Sequence, residues 1–490
     1  MRILMVTSEA VPYAKAGGLA DAVSALSAQL SAIGHDVRVV LPRYYFIDRF
    51  GLDDLAIPLR VPLGSDELWC GVYRRSDRGP QYYFLDYEAL FGRDGIYGTR
   101  DEPSFPDNAR RFALLGRGAL ELCRTIDWIP DVIHCHDWPA VPAILYAKSS
   151  LCPKKLQAVS TVFTIHNLGH QGEFEVADVV YLGLTPADLA ASAIARRGRL
   201  NFLSAAIELA DKITTVSPGY AKEIRTPEFG FGLEKSIKRR ADDLIGIVNG
   251  IDYTEWNPET DPHIAVRYSA DSLHKKEANK RALLEETGLR YSRDIPVVGM
   301  VSRLVEQKGF ADLCGPASKT LYNMCADLDV QFVILGTGEQ WCEIDLRRLQ
   351  AKLLNLRAIL TFDNGLAHRI EAGADFFLMP SRYEPCGLNQ LYSMRYGTIP
   401  IVTATGGLRD TVDPYEPDSG GGTGFFVNGT GGRSIYAAVE RAVAVFHDRP
   451  EHIRLMRMDG MKTRFSWHKS AQQYVRTYRD ASFRSSRSSR

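Results

Sequence analysis

The sequence predicts two α/β domains, each an open parallel sheet with helices on both faces. Short runs rich in Val, Ile and Phe alternate with amphipathic stretches of helical length, the rhythm of buried strands and their crossovers. That rhythm occurs twice, interrupted by turn-forming residues from Asn249-Gly250-Ile251-Asp252 to Trp256-Asn257-Pro258. The length of 490 residues also exceeds what one core organises, which suits two domains of about 200 to 250 residues each.

In the first half, strands are expected at Ile3 to Val6, Val37 to Leu41, Tyr82 to Leu85, Val132 to Cys135, Val162 to Ile165 and Ile213 to Val216. In the second they are expected at Val297 to Val301, Gln331 to Leu335, Ala358 to Phe362, Phe376 to Met379, Ile399 to Val402 and Gly424 to Val427. The first domain is therefore placed at 1–250 and the second at 251–466. Ser482 to Arg490 contains little but Ser and Arg, so 481–490 reads as a flexible tail.

Composition narrows the function. Lys plus Arg and Asp plus Glu both total 59, so no global field favours nucleic acid or an anionic membrane, and any anion site must be local. The eight cysteines show no Cys-x-x-Cys spacing and read as reduced thiols rather than disulfides or zinc ligands. No run of 18 apolar residues occurs, and Arg2 and the first strand follow Met1 directly, so a cytoplasmic protein is expected.

Ligands of open parallel sheets bind outside the carboxyl ends of the strands, and polar groups gather there in both halves. Glu9 and the segment Lys15-Ala16-Gly17-Gly18-Leu19-Ala20-Asp21 follow the first strand, where paired glycines admit a close ligand and Lys15 adds positive charge. His134, His136 and Asp137 follow the fourth strand, and His166 and Asn167 the fifth. In the second half Arg303 and Lys308 follow the first strand, Gly336 and Gly338 the second, and Ser381 to Gln390 the fourth. Arg303 offers a planar fork for phosphate oxygens, Lys308 a point charge, and the helix start near Gly387 an oriented positive end. These are the parts of a diphosphate cradle, although a solvated loop is the competing reading of the two cations.

Six motifs together carry a resemblance. They are Lys15 to Asp21, His134-Cys135-His136-Asp137-Trp138, Thr164-Ile165-His166-Asn167, Val248-Asn249-Gly250-Ile251-Asp252, Ser302-Arg303-Leu304 with Gln307-Lys308-Gly309, and Pro380 to Leu388. In order and spacing the chain resembles the bacterial glycogen synthases and plant starch synthases over nearly its whole length. The resemblance implies a glycosyltransferase B fold: two facing Rossmann-like domains with a deep interdomain cleft, nucleotide sugar on the second and glucan on the first. A last helix, 467–480, would pack back on the first domain. It also implies retaining transfer of glucose from ADP-glucose to the non-reducing-end 4-hydroxyl of an α-1,4-glucan, with ADP released and no metal or other cofactor required.

Carried over by position, the resemblance makes Lys15, His166, Arg303, Lys308 and Glu384 the catalytic set. Gly17, Gly18, Asp21, Asp137, Asn249, Gly336, Phe362, Ser381, Cys386, Gly387, Leu388 and Tyr392 would surround the nucleotide sugar. Glu9, Tyr97, Trp138 and Asn167 would meet the acceptor or sugar. Tyr392 stands where many relatives of this fold carry a second Glu, as is usual for the glycogen synthase branch.

Several of these residues have other readings. His134, His136 and Asp137 could pass for a zinc site, but the two histidines are taken to lie on opposite faces of the strand, His134 in the core and His136 toward the cleft. Gly336-Thr337-Gly338 lacks the full dinucleotide spacing and is read as approaching ribose or phosphate. Phe362 is either a platform for adenine or a core aromatic. Other functions consistent with the fold are a non-catalytic glucan-binding protein and a transferase using another nucleotide sugar.

Overall fold

The computed structural model describes residues 1–76, 79–99, 101–315 and 317–488. The chain divides into two compact units, one formed by Met1–Gly250 with the chain from Trp467 onward, the other by Ile251–Ser466.

The first unit is built on strands β1 (Arg2–Val6), β2 (Asp36–Pro42), β3 (Asp53–Asp54), β4 (Leu59–Leu63), β5 (Asp66–Ser76), β6 (Gln81–Asp86), β7 (Val132–His136) and β8 (Ser160–Ile165). A small separate sheet holds β9 (Glu173–Glu175), β10 (Ala195–Arg196) and β11 (Arg199–Asn201), and β12 (Lys212–Thr215) and β13 (Leu244–Gly246) return to the main sheet. Its order is β13-β12-β8-β7-β1-β2-β6-β5-β3, with β4 paired to β5. From β13 to β6 every pairing is parallel, whereas β5 runs antiparallel to β3, β4 and β6. All six strands expected in this half are present. The edge strands β3 to β5 and β13 escaped notice, as did the small sheet. In β5 buried Leu68, Cys70 and Val72 alternate with exposed Trp69 and Gly71, as on a sheet with one wet face.

The second unit contains β14 (Val297–Val301), β15 (Gln331–Leu335), β16 (Leu356–Ile359), β17 (Phe376–Met379), β18 (Ile399–Thr403) and β19 (Phe425–Val427). All its pairings are parallel, in the order β16-β15-β14-β17-β18-β19. β16 begins and ends earlier than expected, which leaves Phe362 beyond the strand.

Helix 467–488 belongs to the first unit for a reason visible in its spacing. Trp467, Ala471, Tyr474, Val475, Tyr478 and Ala481 fall on one helical stripe and pack in a core with Ile3, Val37, Val132 and Val162. Ser470 Oγ donates to the Val248 carbonyl at 2.6 Å. The helix continues to Ser488, past the boundary at 480 expected from the Ser and Arg composition; buried Ala481 extends the packed stripe across that point. No helix among the described residues is long and apolar enough to cross a membrane.

Candidate active site

In the first unit the strand order reverses between β1 and β7, the switch point where such sheets bind ligands. The chain leaving β1 is organised by Glu9, which is buried. One carboxylate oxygen accepts the amides of Ala16 at 2.6 Å and Gly17 at 3.0 Å, and the other accepts the Tyr97 hydroxyl at 2.5 Å. Ser8 Oγ lies 2.8 Å from the same hydroxyl. Burial raises the Glu9 carboxyl above its ordinary value against these donors. Glu9 and Tyr97, expected at the acceptor, thus spend these groups on fixing the glycine loop.

The loop ends at the helix Gly18–Ala32, whose first residues have no side-chain cap. A Cβ added at Gly17 would meet no atom within 4 Å, so this glycine keeps space open beside amides that carry the helix's positive end. Lys15 Nζ lies 2.7 Å from Asp21 Oδ1 on the helix's first turn. Burial raises the Asp21 carboxyl while the Lys15 charge opposes the shift.

At the end of β7, Asp137 opens the helix Asp137–Ala147 with φ of +54°, a conformation uncommon outside glycine. Its Oδ1 accepts the amides of His166 at 2.7 Å and Asn167 at 3.4 Å, which ties the end of β8 to that of β7. Burial pushes the Asp137 carboxyl up to about 7. Trp138 packs among Tyr97, Phe112 and Phe174, with ring centroids 4.9 to 5.7 Å away. The Asn167 side chain turns back to accept the Gly169 amide at 3.0 Å. Asn249 is buried, and its Oδ1 has no hydrogen-bond partner among the described residues.

The two strand histidines require a correction. His134 and His136 are both buried, with ring centroids 4.0 Å apart, because residues two apart on a strand share a face. His134 is held by Tyr478 Oη at 2.9 Å and Thr164 Oγ1 at 2.6 Å. His136 Nδ1 meets His166 Nε2 at 3.1 Å. Desolvation pushes the imidazole of His166 down to about 3.

In the second unit the order reverses between β14 and β17, and the sequence-predicted cations lie there. Arg303 is exposed, with no ion-pair partner for its guanidinium among the described residues. Lys308 Nζ lies 2.5 Å from Glu384 Oε2, and Ser381 Oγ donates to the same oxygen at 3.0 Å. Gly309 makes this meeting possible: its φ is +81°, and an added Cβ would stand 2.1 Å from the Pro380 carbonyl oxygen. Gln390 Nε2 donates to the carbonyls of Cys386 and Gly387, each at 3.1 Å, and to Thr411 Oγ1 at 3.0 Å, pinning the turn that presents Gly387 and Leu388. The Cys386 thiol is buried.

Sequence reasoning missed the loop after β18. A Cβ on Gly407 would come 2.2 Å from the Cys386 carbonyl oxygen, and the Gly407 amide donates to the Glu384 carbonyl at 3.0 Å. The signal was available, since Thr405-Gly406-Gly407 follows a buried strand just as Gly17-Gly18 does.

Phe362 is 79% exposed, which removes the core reading and leaves a free aromatic face. Tyr392 is buried instead, its ring stacked on Trp256 at 3.8 Å, with His368 on Trp256's ring at 3.9 Å. Its aromatic face is therefore used inside the core. Gly336 and Gly338 serve the backbone: added Cβ atoms would lie 1.9 Å from the Ser302 oxygen and 2.3 Å from the Leu304 oxygen. The loop after β15 is thereby pressed against the loop that carries Arg303. No group of three or more His, Cys, Asp or Glu arranged for a metal occurs among the described residues.

Comparison with known proteins agrees with this architecture. Residues 2–239 match the starch synthase catalytic domain family, and residues 289–454 match the glycosyl transferases group 1 family. A glycogen synthase of Treponema denticola is 47% identical over 98% of both chains, and one of Koribacter versatilis is 43% identical over 98% of both. The chain belongs to the bacterial glycogen synthase family. Within that family's fold, the catalytic domain of Arabidopsis thaliana starch synthase IV, solved with ADP and acarbose, superposes with a TM-score of 0.88 at 32% identity, covering 98% of this chain and 99% of that one. Sucrose-phosphate synthase of Thermosynechococcus elongatus, at 18% identity and a TM-score of 0.61 over 98% of both chains, shares the fold. The two Rossmann-like units are those of a glycosyltransferase B fold.

Proposed function

We propose that this chain elongates an α-1,4-glucan by moving glucose from ADP-glucose to the 4-hydroxyl at the non-reducing end, retaining the anomeric configuration and releasing ADP. It acts in the cytoplasm and needs no metal ion. The observation that carries the reading is the arrangement at the second switch point, where exposed Arg303 and the Lys308–Glu384 pair share the carboxyl edge of one sheet. The relatives are glycogen synthases, and the plant starch synthase was solved with ADP and acarbose, a nucleoside diphosphate and a sugar-like ligand.

In this mechanism Arg303 grips diphosphate oxygens through its planar fork, and Lys308 adds a second positive charge as the diphosphate departs. Glu384, with one oxygen already bound by Lys308 and Ser381, holds sugar hydroxyls rather than attacking the anomeric carbon. The acceptor hydroxyl arrives on the face the diphosphate leaves, and its proton passes to a departing phosphate oxygen. His166 stays neutral at physiological pH, so it places no positive charge against the cationic character that develops on the sugar. In the first unit, Lys15 and the uncapped helix start provide a further anion-stabilising end.

The test is ADP release from ADP-glucose with and without maltooligosaccharide, in parallel with UDP-glucose and with a chelator present. Glucan-dependent release from ADP-glucose that ignores the chelator is expected. Release from UDP-glucose alone would overturn the donor, release abolished by the chelator would overturn metal independence, and none from either sugar would overturn transfer.

A further inference from the structure

We infer that His136 is a positioning residue for His166: it donates its Nδ1–H to His166 Nε2 and so holds the His166 ring in the tautomer protonated on Nδ1. The kinetic consequence rests on the transfer reading above, whereas the tautomer itself does not.

His136 Nδ1 and His166 Nε2 lie 3.1 Å apart, so one of them must carry the shared proton. Both rings are neutral at physiological pH, since desolvation lowers His136 well below its ordinary value and His166 to about 3. A neutral imidazole carries one N–H, which leaves two arrangements. If His166 donated, the proton of His136 would sit on Nε2, a buried atom with no hydrogen-bond partner among the described residues. If His136 donates, that same buried Nε2 holds only a lone pair. Orphaned buried N–H groups are rarer and costlier than unused acceptors, so His136 is the donor.

The surroundings hold this arrangement in place. His134 packs against His136 with ring centroids 4.0 Å apart and planes tilted by 42°, and both its own nitrogens are engaged, one by Tyr478 of the last helix and one by Thr164. Thr164 Oγ1 in turn lies 2.5 Å from Thr214 Oγ1 on β12. Asp137, the residue that follows β7, grips the His166 backbone amide at 2.7 Å. Consecutive residues of one strand end therefore fix His166 twice, Asp137 by its backbone and His136 by its ring. The consequence is chemical: His166 offers an Nδ1–H donor to a sugar oxygen and has no basic nitrogen free toward it.

The test uses the full chain labelled with nitrogen-15 in histidine, and long-range proton–nitrogen correlation spectra at neutral pH, with His166→Gln to assign the signals. Protonated Nδ1 and bare Nε2 on His166 are expected in the unaltered chain. Protonated Nε2 there overturns the inference, and this spectrum decides even if the His136 variants fail to fold. His136→Leu should lower kcat about tenfold with KM for ADP-glucose within about twofold, and His136→Asn, whose amide N–H can take the place of Nδ1–H, should recover most of the loss. A folded His136→Leu chain with unchanged kcat, or a folded His136→Asn chain no better than His136→Leu, overturns the positioning role. Absence of glucan-dependent ADP release in the unaltered chain would sink the transfer reading instead, leaving the tautomer to the spectrum.

Discussion

Replacing Lys308 by Met removes a charge and keeps most of the stem, and the structure separates its two effects. Nζ lies 2.5 Å from Glu384 Oε2, with the side chains 20% and 7% exposed respectively. Two unit charges at that distance attract with a gross energy of about 7 kcal/mol at an effective dielectric of 20, most of which offsets desolvation. What Lys308→Met adds is a stranded carboxylate, left with Ser381 Oγ as its side-chain donor. Removing one partner of a buried pair costs about 3–5 kcal/mol, and the partial exposure of the lysine places this case near the lower end, at about 3 kcal/mol. Glu384→Gln neutralises that carboxylate, so Lys308→Met/Glu384→Gln should regain most of the stability in urea unfolding. Turnover should behave differently. Loss of the cation that meets the leaving diphosphate should cost about 100-fold in kcat or more, near 3 kcal/mol, in both the single and the double variant. Stability and ADP release measured on the same preparations decide the matter. A double variant that regains both would show that Lys308 matters only by neutralising Glu384, and a single variant with full turnover would remove it from the diphosphate site.

Four further outcomes are expected. Asp137 has its carboxyl raised from 3.8 to about 7, so between these values the folded chain keeps a proton that the unfolded chain has released, and this group's contribution to stability falls as pH rises. Asp137→Asn, which tolerates the positive φ, should flatten the decline in Tm across that window; equal slopes would refute the shift. Gly336→Ala would place a Cβ 1.9 Å from the Ser302 oxygen, and should cost about 2–4 kcal/mol in urea unfolding, whereas an unchanged midpoint would show that the loop relaxes freely. Phe362→Ala should raise KM for ADP-glucose about tenfold at unchanged stability if the exposed ring stacks on adenine, and an unaltered KM excludes it. Trp256→Ala removes the middle ring of the Tyr392–Trp256–His368 stack and should cost about 3–5 kcal/mol in stability, with a smaller loss contradicting its core role.

Features carried by local pattern were legible beforehand. Buried parallel strands such as β14, β15 and β17 are short apolar runs, and their boundaries agree with the expectation residue for residue. The edge strand β5 was missed because Gly71 interrupts its apolar residues, and the exposure of Trp69 beside buried Leu68 and Cys70 shows only in the folded sheet. The recognition motifs could likewise be placed after strand ends, and the strand order then set them beside switch points. Partner choice was not legible. Lys308 and Glu384 are 76 residues apart, and His136 and His166 are 30 apart; each pair meets through parallel strands whose register the sequence does not display. Glycine is the clearest case of the difference. The same residue type keeps open space at Gly17 and admits another stretch of backbone at Gly336. Tyr392 makes the same point for an aromatic: position near the motif suggested a ligand, and packing gave its ring to Trp256.

The sequence by itself determined two α/β units, the strand ends that carry polar groups, and the set of charges available for an anionic leaving group, because hydrophobic period and turn chemistry act over a few residues. Only the tertiary structure decided which of those groups are exposed, which are paired and which are buried in support, because these depend on contacts between distant segments that form when the sheets assemble.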